Sequence, residues 1–355
     1  MPSQLSVNTP LPESLLSIYH IIETEIKEMN AILLKLLSDN IPFVHEVVHY
    51  AFQLGGKRLR PAITLLCFKA ARGVTSSTSV TCKNVPQQVL MIAAALEMIH
   101  TATLIHDDIL DGALIRRHIQ TMHLRWDAGI SVMAGDMIFM KALDVVSQLE
   151  EPAAYRILAK ACHATCYGEL RQMSTRNRFD ISVSDYLEII SGKTAALIEC
   201  GSQLGAYYAK AEQKTVEEFH QFGHEIGIAF QIVDDILDVV GDEKKMGKTL
   251  GTDVAQQKPT LPLLLFFESL TKSERAKITE ECAEQHQNEH YVQNLITQIA
   301  QSGAIDTAMT HANHLVDSAI NRIRRLAETF PLNSESQQAT AALCELAAFV
   351  VNRKK

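Results

Sequence analysis

Residues 89–111 read VLMIAAALEMIHTATLIHDDILD, a stretch with neither Gly nor Pro that is apolar on nearly every side until it ends in three aspartates. A helix apolar all round belongs in the core of a larger protein, so this segment predicts a buried central helix surrounded by others. Working outward, apolar residues recur at three- and four-residue spacing over 13–38 and 44–54, where Gly55-Gly56 ends the pattern. Helix resumes over 61–71. Residues 73–88 gather Gly, Ser, Thr, Asn and Pro and predict a loop. Further helices are expected over 132–150, 153–174, 184–209 and 216–240, and more weakly from 258 onward. With only 10 Pro and 16 Gly in 355 residues, the expected class is all-α. No shift in composition divides the chain. The reading is therefore one domain over 1–355, a helical bundle around a central cavity, with 1–12 flexible.

The net charge of -8 argues against a nucleic-acid-binding or anionic-membrane surface, each of which needs a concentrated basic face. Seven scattered cysteines without a CxxC pair suit reduced thiols in the cytoplasm. Cys162 and Cys166 lie one helical turn apart but have no further Cys or His nearby in sequence, so they read as small buried residues. The N-terminus lacks a basic segment followed by an apolar run, so no signal peptide is expected. No uninterrupted apolar run of 18 or more residues is seen, and no membrane span is expected.

The chemistry concentrates in a repeated motif. DDILD occurs at 107–111 and again, identically, at 234–238. On a helix the first and last aspartate of each copy face the same way, one turn apart. Like charges at the end of an apolar helix repel and lose hydration, so they call for a cation. An oxygen-only donor set suits Mg²⁺, which holds one or two carboxylates and completes its octahedron with phosphate oxygens and water. Two such clusters would grip a diphosphate through metal.

Basic residues accompany these aspartates. Gly55-Gly56-Lys57-Arg58-Leu59-Arg60-Pro61 is a glycine-flanked basic loop at a helix start, suited to phosphate oxygens. Arg116-Arg117 follow the first cluster by about one and a half helical turns. Lys193-Thr194 lie in a helical stretch, Gln231 precedes the second cluster, and Lys248 and Lys258 follow it in a Gly-containing loop. Taken singly, each also fits a surface or capping residue; together they describe an anion site.

GGKRLRP, LIHDDILD with its arginine pair, YLEIISGKTAAL, and FQIVDDILD followed by GKTLGTD and KPTLPLL resemble the signature blocks of trans-type isoprenyl (polyprenyl) diphosphate synthases, with long-chain octaprenyl members the nearest in motif. The blocks stand in that family's order over 53–265. The resemblance implies an all-α isoprenoid-synthase fold, a homodimer, and three Mg²⁺ ions as cofactors. Asp107, Asp108, Asp111, Asp234, Asp235 and Asp238 would be the metal ligands. Arg116, Lys193, Gln231 and Lys248 would contact the allylic diphosphate. Lys57, Arg60, His100 and Arg117, with Lys258 as a further substrate-binding residue, would serve isopentenyl diphosphate. Thr194 and Gln231 would face the allylic cation. His100, by its position alone, reads equally as a core histidine.

If the central helix points its aspartates at the metals, Ala102 and Thr103 lie beneath the allylic carbon, and Met98 and Ala95 lie on the turns below. Short-chain members of the family tend to carry an aromatic residue at this level. Its absence implies an octaprenyl-range product rather than a farnesyl or geranylgeranyl one, with Met137, Phe139 and Met140 as deeper candidates to close the tunnel. Gly112-Ala113-Leu114, His118 and Asp127 depart from the family pattern. A class I terpene cyclase fits less well because it would lack the basic loop and the second DDILD. A non-catalytic synthase subunit would have lost aspartates that this chain keeps.

Overall fold

The computed structural model describes residues 13–53, 56–72, 85–117, 119–241, 250–329 and 333–353. In chain order its first helices are α1 (Glu13–His20), α2 (Glu23–Leu36), α3 (Pro42–Gln53), α4 (Leu59–Arg72) and α5 (Gln87–Leu110). A two-stranded hairpin, β1 (Ile115–Arg116) and β2 (Ile119–Gln120), precedes α6 (Met122–Arg125), α7 (Ala128–Ser147) and α8 (Pro152–Ser174). Then come α9 (Val183–Ile190), a π-helical turn (Ser191–Ala195), α10 (Ala196–Tyr208) and α11 (Gln213–Val240). The remainder is α12 (Thr252–Ala255), α13 (Leu261–Ser269), α14 (Lys272–Gln285), α15 (Glu289–Gln301), α16 (Ala304–Thr329) and α17 (Ser334–Asn352). The protein is all-α, as its composition and periodicity predict. The loop expected over 73–88 and the flexible 1–12 lie largely or wholly outside the described residues.

The chain falls into two units. The first comprises residues up to Cys162 with 197–223 and 321–346, and its centre is α5. This helix packs against α2, α3, α4, α6 and α7, and Ala95, Met98 and Ala102 have no exposed surface. Contrary to expectation, α5 is long and apolar enough to cross a bilayer, with a mean hydropathy of 1.6 over its best 18-residue window. Of that window 72% is buried within the protein, which marks it as a core helix, since helices packed on all sides are apolar all round.

Helix α5 stops where the sequence departs from the family pattern. Gly112 adopts a left-handed φ of 61°, its N–H bonds Ile109 O, and the N–H of Ala113 bonds Asp108 O. These two bonds make a Schellman terminus, which a glycine enters without steric cost. The helix expected over 89–111 thus ends with the cluster, and Arg116 and Arg117 follow it off the helix. They sit on the hairpin, paired Ile115 with Gln120 and Arg116 with Ile119. Tyr50 OH donates to Gln120 O at 2.7 Å, and Thr121 Oγ1 to Ala113 O at 2.7 Å, which pins the hairpin to the end of α5. Asp127, the other departure, caps α7 by accepting from Ile130 N at 2.7 Å. The helix expected over 13–38 breaks at Ile21-Ile22, two β-branched residues that close a tight turn onto Ile18 and Tyr19.

The second unit comprises 163–196, 224–320 and 347 onward. Its core joins Val239, Val254, Leu263, Phe266, Phe267, Leu295 and Ile299 with Phe179, whose ring stacks on Phe267 at 4.9 Å. Capping boxes at Ser182/Asp185 and Thr271/Glu274 open α9 and α14.

Candidate active site

In the first unit the basic residues gather around one buried carboxylate. Glu97, on α5, is 3% exposed and accepts from Arg58 NH1 at 2.5 Å, Arg58 itself being 5% exposed. Arg58 and Arg117 both take left-handed backbone with φ of 51°, and Glu97 also acts electrostatically on Arg117. The basic loop is thus carried by Arg58 turning inward, while Lys57 is exposed and its carbonyl accepts from Tyr19 OH. Residue spacing could not separate an inward arginine from two outward cations. Glu97, too, was missed, although a lone acid in an apolar helix was the available signal.

One helical turn on, His100 is held neutral far below the usual imidazole range by burial first and then by Arg60, Arg117, Arg116 and Arg58. Four arginines around an uncharged imidazole form a concentrated anion-attracting field, with the ring able to donate or accept a hydrogen bond without adding charge. Beside them Arg116 grips Asp108, with Nε at 2.7 Å and NH2 at 2.6 Å from the same oxygen. Asp108 is 2% exposed, Asp107 is half-buried, and Asp111 is the C-cap residue of α5. Thr103 Oγ1 donates to His100 O at 2.8 Å. Met137 and Met140 stand at the surface of α7, not deep within it, and line a pocket of about 330 Å³ with Leu36, Leu37, Val48 and Ile138.

In the second unit a chain of hydrogen bonds ends on the second acidic cluster. The π-helical turn interrupts the helix expected over 184–209. It sits where α8 passes so closely that a Cβ on Gly168 would lie 2.3 Å from Lys193 N, and one on Gly192 2.7 Å from Ala164 O. A widened turn of this kind re-aims consecutive side chains. Lys193 Nζ meets Glu169 at 2.5 Å and Gln172 at 2.7 Å. Thr194 Oγ1 donates to Gln231 Oε1 at 2.6 Å. Gln231 Nε2 in turn donates to Asp235 Oδ1 at 2.8 Å, and Tyr186 OH donates to the other Asp235 oxygen at 2.7 Å. Asp238, 1% exposed, accepts from Thr252 Oγ1 at 2.5 Å and from Asp253 N at 2.9 Å, and so opens α12. Lys258 is buried and its N–H bonds Asp253 O at 2.8 Å. Lys248 lies outside the described residues. Tyr186 and Asp253 were not anticipated, since nothing in their local spacing distinguishes them.

The donors fit a hard divalent cation. All are carboxylate oxygens, and each cluster already engages an arginine: Arg116 on Asp108, and Arg353 on Asp234 at 3.0 Å. Among the described residues no three His, Cys, Asp or Glu side chains converge on one point. Each cluster can therefore give a metal one or two carboxylates, the number Mg²⁺ takes when phosphates complete its shell. Asp235 carries the clearest sign of an unmet charge. Burial, then Asp253, pushes its carboxyl up to about 8 against the lowering effect of Tyr186 and Gln231, with Asp234 adding to the rise.

Two measurements check this electrostatic picture. Glu97→Ala leaves Arg58 buried without a counter-charge, and urea denaturation is expected to register a loss of about 3–5 kcal/mol; a loss under about 1 kcal/mol would place the pair among inconsequential surface bridges. For Asp235 the unfolded chain is deprotonated above roughly pH 4 while the folded group keeps its proton to about pH 8. Its contribution to metal-free stability is therefore largest at acid pH, falls as pH rises through that window, and levels off above it. Asp235→Asn is expected to flatten this contribution in melting temperatures recorded between pH 5 and 9, and Mg²⁺ to oppose the fall.

Comparison with known proteins agrees with the geometry. The family model described as polyprenyl synthetase matches residues 41–299. An octaprenyl diphosphate synthase of Haemophilus influenzae is 31% identical over 329 residues, 93% of this chain and 95% of that protein. A geranylgeranyl diphosphate synthase of Saccharolobus solfataricus is 28% identical over 337 residues, covering 93% and 96%. Among solved structures, a polyprenyl synthase from Caulobacter crescentus complexed with calcium and isoprenyl diphosphate superposes with a TM-score of 0.86 at 30% identity, covering 98% of this chain and 100% of that one. A match over most of the chain, with every block of the sequence resemblance inside it, places this protein in the polyprenyl synthetase family, as a prenyltransferase of the trans-prenyl diphosphate synthase type.

Proposed function

We propose that the protein condenses isopentenyl diphosphate head to tail with an allylic prenyl diphosphate, with Mg²⁺ as cofactor in three ions, to give a product in the octaprenyl range. The observation that carries the reaction is the convergence of Arg58, Arg60, Arg116 and Arg117 on a neutral His100, about two helical turns before the first aspartate cluster. That field suits a diphosphate, whose oxygens accept from several guanidinium groups at once.

In this reading Lys57, Arg60, His100, Arg117 and Lys258 hold isopentenyl diphosphate, and Arg116, Lys193, Gln231 and Lys248 hold the allylic diphosphate. Asp107, Asp108, Asp111, Asp234, Asp235 and Asp238 would hold Mg²⁺, which when bound would supply positive charge to offset that of the departing diphosphate. Heterolysis of the allylic C–O bond leaves a carbocation and free diphosphate. The isopentenyl π bond supplies the electron pair for the new C–C bond, and the proton lost from the adjacent carbon passes to the released diphosphate. No side chain of this chain is required as base. Thr194 has its hydroxyl proton engaged by Gln231, so the oxygen lone pairs remain to face the cation. Arginine charge, fixed before substrate arrives, is the main contribution of the protein.

Product length rests on Ala102, Met98 and Ala95, which stack on successive turns of α5 without an aromatic residue. The alternative is a shorter, geranylgeranyl-range product, as the Saccharolobus relative is named for. The two units are taken to work as one catalytic domain, in the cytoplasm. A homodimer is proposed because Val132, Met133, Met137 and Met140 leave an apolar strip on α7 that is 40–66% exposed, the kind of surface a second copy covers.

Labelled isopentenyl diphosphate with farnesyl diphosphate and Mg²⁺ is expected to yield octaprenyl-range products by chromatography, and Ala102→Phe to shorten them to the farnesyl or geranylgeranyl range. Wild-type arrest at geranylgeranyl would discard the tunnel argument while keeping the reaction; no elongation would discard the reaction. Light scattering is expected to give twice the chain mass, and Met133→Lys with Met140→Lys to shift it towards monomer.

A further inference from the structure

Arg353 closes α17 and, by position in sequence, reads as part of a solvated basic chain end. In the structure its side chain is 6% exposed, with NH2 3.0 Å from Asp234 Oδ1. The same nitrogen donates to Phe230 O at 2.6 Å, and the guanidinium lies over the Phe230 ring with its carbon 3.9 Å from the centroid. Its Nε is buried without a hydrogen-bond partner. All these groups belong to one unit. A long cationic side chain is thus folded inward onto the first aspartate of the second cluster, at the expense of its hydration and of one unsatisfied donor. Such costs are met only where the charge answers another buried charge.

We infer that Arg353 is the resident counter-ion of the second acidic cluster: it holds Asp234 in place before metal arrives, yields that carboxylate to the metal, and so sets the magnesium concentration at which the cluster loads. The inference rests on the proposed metal-binding role of Asp234. A carboxylate that accepts a cation at about 2.0–2.1 Å brings it within a few ångströms of anything else bound to the same group. A guanidinium held there by Phe230 repels the incoming ion in a site of low dielectric, which weakens binding. The same guanidinium keeps Asp234 from reorienting before metal binds, as outer-shell partners do for ligating carboxylates. Arg353 is accordingly a positioning residue, acting on the metal through Asp234.

The test needs no turnover. Free Mn²⁺, followed by electron paramagnetic resonance, is titrated into the full chain without substrate. Arg353→Gln removes the charge but keeps a donor, and is expected to load at Mn²⁺ concentrations lower by about tenfold, the scale of one partly buried charge pair. Arg353→Lys restores the cation and is expected to load as wild type does. Unchanged or weaker binding in Arg353→Gln would overturn the inference and leave Arg353 as a plug for the end of α17. Asp234→Asn tests the underlying reading separately: if it binds Mn²⁺ as wild type does, the second cluster is not the metal site. Should Arg353→Gln fail to fold, wild-type hydrogen exchange decides. Mg²⁺ is expected to speed exchange over residues 349–352 as the Arg353 pair opens, and slower or equal exchange would overturn the inference.

Discussion

The constraint on which much of this structure depends is the cost of holding carboxylates inside apolar helices. Asp108, Asp235 and Asp238 are each under 5% exposed, and an ionised carboxylate removed from water is tolerated only with hydrogen bonds or a counter-charge. The chain answers differently at each. Asp108 has a two-pronged arginine, Asp238 has a backbone N–H and a threonine hydroxyl, and Asp235 has two neutral donors. Burial and the like charge of Asp253 outweigh those two donors, and the Asp235 carboxyl rises into the neutral range.

The cations obey the same rule from the other side. Glu97 gives the inward-turned Arg58 a partner and acts on Arg117, and His100 remains uncharged among them. The imidazole adds no charge of its own, and Glu97 and Asp108 offset the repulsion among the arginines. An anion entering that field replaces lost hydration with oriented donors. Local backbone conformation serves this arrangement: Arg58 and Arg117 both take left-handed φ, an uncommon conformation for residues other than glycine that occurs in tight turns and functional sites.

Helix endings do much of the remaining positioning. The Schellman terminus at Gly112 turns the chain off α5 immediately after the first aspartate cluster and into the hairpin, from which Arg116 reaches back to Asp108. In the other unit, the π-helical turn at Ser191–Ala195 places Lys193 on the acidic and amide groups of α8 and Thr194 on Gln231. Both features interrupt otherwise regular helices, and both stand beside the residues that carry chemistry.

The sequence by itself determined the helical class, the burial of α5, the two acidic clusters and the basic blocks around them. These follow from periodicity, from the scarcity of Gly and Pro, and from charged residues standing where an apolar helix has no use for them, all properties of neighbours along the chain. It also carried the family resemblance, because the blocks are short and contiguous. Tertiary structure alone decided which cation meets which anion. Arg58 with Glu97 is a pairing across 39 residues and Tyr186 with Asp235 across 49, while Arg353 reaches Asp234 from the far end of the chain. Local spacing holds no information about such pairs. The path of the chain after α5 was decided likewise: the left-handed glycine lets backbone bonds close the helix, and the hairpin that follows, not residue spacing, lays Arg116 on Asp108.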